Sequence, residues 1–251
     1  GSGQSDNVTV ANSGTINASG VGVEVTGFTV GEITNTADGT INSTGPSGVG
    51  LRVRNAIDAV VDNSGTIAAM GDGSTALSLN AFNNSMITNS GMITASGSGA
   101  TGVDFFGSLG STFVNDGSVS GDTGVSLRFS SDISIVNNGD ITGADVGVSF
   151  ASSNSGSTTN LTNNGTITGG NTALSFDNIA GLTVTNAVDG TISSTGPLGL
   201  GLSVQNAAGA MVDNSGIISA LGDGSIALTL NGLDNSNAMN SGSIQSSAEG
   251  D

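Results

Sequence analysis

Apolar and polar residues alternate along this chain in short runs, as in Ile133 to Asn137 (ISIVN), Leu182 to Asn186 (LTVTN), Asp122 to Phe129 (DTGVSLRF) and Asn171 to Phe176 (NTALSF), each bounded by Gly, Ser, Asn or Asp. Period-two alternation between turn-forming residues predicts short strands and tight corners. No stretch shows the 3.6-residue spacing of an amphipathic helix. The runs recur in sets of three, which predicts three strands and three corners per repeating unit.

One motif marks the units: apolar-x-Asn-x-Gly-x-Ile, at Asn12, Asn63, Asn89, Asn115, Asn137, Asn163, Asn214 and Asn240, with Val119 once in place of Ile. Two longer copies, NTADGTI at Asn35 and NAVDGTI at Asn186, complete the series, and successive anchors lie 23, 28, 26, 26, 22, 26, 23, 28 and 26 residues apart. A period in the twenties, with three strands per period, predicts an all-β, right-handed parallel β-helix of about ten coils. Nine intervals at about 4.8 Å make a rod roughly 43 Å long.

Inward residues of successive coils should stack in columns. One would run Ile16, Ile41, Ile67, Ile93, Val119, Ile141, Ile167, Ile192, Ile218, Ile244, and another Leu51, Leu77, Val103, Val125, Val148, Leu174, Leu202, Leu228. In Val61-Asp62-Asn63-Ser64-Gly65-Thr66-Ile67, alternation turns Val61, Asn63 and Ile67 inward, so the ten asparagines form a structural ladder of buried amides. The glycine two positions on is expected to take a positive φ at the corner.

A longer period overlies the coil. Adding 151 to anchors 12, 35, 63 and 89 gives anchors 163, 186, 214 and 240, and the two prolines, Pro46 and Pro197, are also 151 apart. Residues 8–251 are thus expected to be one β-helix domain, with a six-coil block from about 12 to 162 and a second, truncated copy from about 163. Residues 1–7 read as a cloning remnant or disordered start.

Composition narrows the chemistry. With 3 Lys+Arg against 20 Asp+Glu, no His and a formal net charge of −17, the chain has no basic cluster with which to neutralise phosphates, so no nucleic-acid partner is expected. It lacks Cys, Trp and Tyr. General acid–base and nucleophilic chemistry therefore have few candidate groups, no cofactor is expected, and the chain is read as not an enzyme. Corner carboxylates (Asp38, Asp58, Asp62, Asp72, Asp104, Asp116, Asp140, Asp189, Asp213, Asp223) are the candidates for a glycosidase pair, but several recur by block duplication, as solvated surface residues would. Arg52 and Arg54 become Ser203 and Gln205 in the second copy. Asp72 and Asp223, in Gly-Asp-Gly-Ser corners, are calcium candidates with a plain turn as the alternative. Phe105, Phe106, Phe113, Phe129, Phe150 and Phe176 are expected in the core of the middle coils. A threonine row (Thr15, Thr40, Thr66, Thr166, Thr191) is broken by Met92, Ser118, Asp140, Ile217 and Ser243, which argues against a flat ice-binding lattice.

Units such as LTNNGTITGGNTALSF and VDNSGTIAAMGDGSTALSL resemble the passenger regions of bacterial autotransporter adhesins, over Val8 to Ile244. That resemblance implies display on the outer membrane of a Gram-negative bacterium, extracellular exposure, and anchoring through a C-terminal membrane barrel absent from this sequence. It also implies attachment to a host or neighbouring-cell surface, or self-association with the same protein. A purely structural stalk and a polysaccharide-acting β-helix enzyme are the alternatives.

Overall fold

The computed structural model describes residues 7–151 and 158–247; the expectation for residues 1–6 lies outside them. The chain is an all-β parallel solenoid of about 9 turns, consistent with a right-handed β-helix. Each turn begins on a first face, a 10-stranded parallel sheet in which every strand pairs with its equivalent one coil away. The second and third faces belong to one 17-stranded parallel sheet. The tenth coil ends its described residues after two strands, Asn237–Asn240 and Ser243–Ser246, so nine complete turns and part of a tenth stand close to the expectation of about ten coils.

Coil three shows the common plan. Ala59–Asn63 lies on the first face, Thr66–Met70 on the second and Thr75–Asn83 on the third. Alternation buries Ala59, Val61 and Asn63 and leaves Val60 outside, as period two requires. The isoleucine column is continuous in register from Ile16 through Val119 to Ile244. The leucine and valine column also runs unbroken, and it gains Val23 at its start. Each fully buried aliphatic side chain contributes about 1.5–3 kcal/mol by leaving water, so these columns are the main cohesive element.

Three-strand regularity fails in coils five and six. There the second and third faces share single long strands, Ser118–Arg128 and Asp140–Ala151, with a register shift between Gly121 and Thr123. The corners there are short, six residues from Val119 to Val125 and seven from Ile141 to Val148 against ten from Ile93 to Val103, though coil seven keeps separate strands across the same seven-residue gap from Ile167 to Leu174. Glycine makes the tight bend possible, since a Cβ on Gly143 would strike the carbonyl oxygen of Val146.

Corners between the third face and the next coil follow another rule. Left-handed residues occur in pairs three apart: Asn55 and Asp58, Gly107 and Gly110, Asn206 and Gly209, Gly232 and Asn235. Gly, Asn and Asp tolerate this conformation best. Two positions break the preference, Ala81 at φ 49° and Phe129 at φ 54°.

Candidate functional site

The ten asparagines sit at the end of each first-face strand, where the chain turns toward the second face. Asn12 through Asn214 are buried. Each Nδ2 donates to the Oδ1 of the asparagine one coil on, in nine links of 2.7–2.9 Å from Asn12 to Asn240. The second amide hydrogen reaches backbone in two coils: Asn63 Nδ2 also lies 3.3 Å from the carbonyls of Gly65 in its own coil and Met92 in the next. Backbone joins in, because the Asn63 carbonyl accepts from the N–H groups of Ser90 and Gly91 at 2.9 and 3.1 Å. All nine side-chain links point the same way along the axis. The result is a polar spine beside the apolar columns with its amides paired, which removes the desolvation cost of burying them.

The motif glycine has a different role from the one expected. Gly65, Gly91, Gly117 and Gly139 are not among the left-handed glycines. What they need is closeness: a Cβ on Gly91 would collide with the Gly65 carbonyl oxygen, one on Gly117 with that of Gly91, and one on Gly139 with that of Gly117. The glycines stack on one another, and that contact holds the coils at sheet spacing where they turn.

The calcium candidates are turn residues. Gly71 and Gly73 take φ 125° and 66°, Asp72 Oδ1 accepts from Ser98 N at 2.9 Å, and the Asp72 carbonyl accepts from Ser47 N at 2.8 Å. The Asp223 carbonyl likewise accepts from Leu198 N at 2.8 Å. Among the described residues no three or more Asp, Glu, His or Cys gather in a way that could hold a metal ion. Other corner carboxylates clip one coil to the next: Asp116 accepts from Asn138 at 2.7 Å and Asp145 from Asn171 at 2.6 Å.

Four of the six aromatic residues expected in the core are there: Phe105, Phe113, Phe150 and Phe176 are buried, and Phe150 stacks on Phe176 at 4.7 Å. Phe106 and Phe129 are not, at 38% and 56% exposed. Phe106 follows inward Phe105 on the third face and so points out. Phe129 occupies the corner position filled elsewhere by Gly27, Asn55, Ala81, Gly107, Asn178, Asn206 or Gly232. Holding an ordinary L-residue there costs roughly 1–2 kcal/mol.

These two rings meet edge to face, 5.4 Å between centroids and 75° apart. Arg128 lies over the Phe106 ring, its Cζ 5.5 Å from the centroid, within cation–π range. Its guanidinium forks onto Asp104, Nε to Oδ1 at 3.2 Å and NH2 to Oδ2 at 2.7 Å. The Asp104 side chain is 11% exposed and that of Arg128 51%. Strand register builds the cluster, since Asp104 pairs with Ser126 and Phe106 with Arg128 across coils four and five. Arg52 and Arg54, the remaining cations of the chain, lie on the same outer face in coil two, within 3.8 and 3.5 Å of Glu24. The three cations thus share one face of a molecule whose net charge is −17.

Sequence reasoning missed this surface by assigning every middle-coil phenylalanine to the core. The signal was alternation itself: in Thr101-Gly102-Val103-Asp104-Phe105-Phe106 only one of two adjacent rings can face inward.

Fold and surfaces together define a class, a rigid repeat solenoid with a paired polar spine and one aromatic, cation-bearing face. No family model, curated protein or solved structure matches the chain.

Proposed function

We propose that this solenoid is a presentation rod of the autotransporter-adhesin kind, displayed at a bacterial surface, whose outer faces mediate attachment to another cell or to copies of the same protein. One observation carries the reading: the spine and columns run without interruption from Asn12 to Asn240 while the outward row beside the isoleucines changes along the stack, from Thr66 to Met92, Ser118 and Asp140. Interior sameness makes the rod stiff, and exterior variety leaves its faces free to acquire partners. Of the candidate carboxylates, Asp72 and Asp116 are taken up by hydrogen bonds to a neighbouring coil and Asp104 by Arg128, which favours binding over turnover.

Attachment of cells displaying the full protein, compared with cells lacking it, tests this on a panel of host and bacterial surfaces. Adhesion gained with display supports the rod as an adhesin. Equal adhesion, with no aggregation of the displaying cells, leaves the stalk. Shortening of acidic polysaccharides incubated with the chain would instead restore the enzyme.

A further inference from the structure

We infer that the outer third face at coils four and five is a binding site for a neutral saccharide, built by Phe106, Phe129, Arg128 and Asp104. The inference rests on the attachment reading and gives that reading a ligand class and a place. Three observations converge on it.

First, Phe129 occupies a left-handed corner position at φ 54° where the other described coils place Gly, Asn or, once, the small Ala81, so it is the one bulky side chain held there among the described residues, and it is more than half exposed. A strained, exposed phenyl contributes little to the core, and such strain persists where a site uses the side chain. Second, its ring and that of Phe106 stand at 75°, two apolar walls meeting at a corner. The C–H face of a pyranose ring fits against such a wall, because it is apolar while its hydroxyls project sideways. Third, the Arg128–Asp104 fork lies beside those walls, with donors and acceptors side by side. Vicinal hydroxyls both donate and accept, so a diol can engage both members of the pair. Asn80 and Ser78, paired in register with Phe106 and Asp104, extend the polar edge by one coil.

Charge selects a neutral ligand. Asp104 balances Arg128 locally, and the net −17 of the chain repels polyanions at a distance. A cationic peptide would meet Arg128 at the centre of the surface. The platform is the open outer side of a sheet, which suits a stretch of an oligosaccharide chain.

The test is saturation-transfer difference NMR of the chain with lactose, maltotriose, cellotriose, mannotriose and chitotriose, with Phe129→Gly and Phe129→Asn as variants. At least one sugar should receive saturation on its ring C–H protons, and both variants should weaken that binding at least tenfold. Their melting temperatures should stay equal or rise, because Gly and Asn fit the left-handed corner. Arg128→Lys, which keeps the charge and loses the fork, should weaken binding as well. The inference is overturned if no sugar binds, if the Phe129 variants bind as tightly as the parent, or if both melt well below it, which would make Phe129 a structural residue. Cell attachment measured in parallel separates this failure from that of the adhesin reading. Attachment retained by Phe129→Gly would leave the adhesin and remove the site, and attachment lost with no sugar bound would assign the face to a protein partner.

Discussion

At the scale of single residues, the Asn-x-Gly motif solves two problems at once. Asparagine provides a donor and an acceptor on one planar group, so identical amides can chain through the interior without an unpaired member. Glycine lets the corner of one coil rest on the carbonyl of the coil below. Gly91→Ala should therefore destabilise the chain by about 1–3 kcal/mol, the usual range for overpacking, because its new methyl would meet the Gly65 carbonyl. Gly14→Ala, at a position with no heavy atom within 4 Å of the added Cβ, should change stability by less than about 0.5 kcal/mol. Denaturant melts of the two variants check the pair; equal losses would mean that the motif glycine is kept for some reason other than close approach.

At the scale of strands and corners, much was legible because the side-chain period of a strand is two. The spacing of the Asn anchors located every first-face strand, and the Ile column follows from counting four residues on, or six in the two longer copies at Asn35 and Asn186. Ile67→Asp should accordingly cost on the order of 4 kcal/mol or more, by burying a charge between Ile41 and Ile93. Thr66→Asp, one residue away and facing out, should cost under about 1 kcal/mol. Similar melts for both would mean a one-residue slip of the second face. The merger of strands in coils five and six was not legible, because it turns on whether a corner such as Gly121-Asp122 keeps ladder hydrogen bonds while it bends. The paired left-handed corners were legible in principle, as Gly, Asn or Asp spaced three apart before the first-face strands of coils three to six and eight to ten. Phe129 and Ala81 blur that spacing, and Phe129 is the residue that builds the candidate site.

At the scale of the whole molecule, the rod unites cohesion along its axis with a strongly anionic exterior. Carboxylates on corners one sheet spacing apart repel one another, and three arginines offset few of them. Salt should thus stabilise the fold: raising ionic strength from about 0.01 M to about 0.5 M shortens the Debye length from roughly 30 Å to a few ångström. The melting temperature should rise across that range. A fall would show that the surface ion pairs outweigh the general repulsion.

The central claim is that a hydrogen-bonded asparagine spine runs through the entire stack, and side-chain amide hydrogen exchange by NMR measures it directly. The Nδ2 protons of Asn35, Asn63, Asn89, Asn115, Asn137, Asn163 and Asn186 should exchange at least about a hundredfold more slowly than those of exposed Asn17, a factor that corresponds to roughly 2.7 kcal/mol of opening free energy. Protection should fall toward Asn12 and Asn240, where the ladder has a neighbour on one side alone among the described residues. Exchange of the interior asparagines at the rate of Asn17 would contradict the spine, and with it the explanation of why this chain repeats its motif ten times.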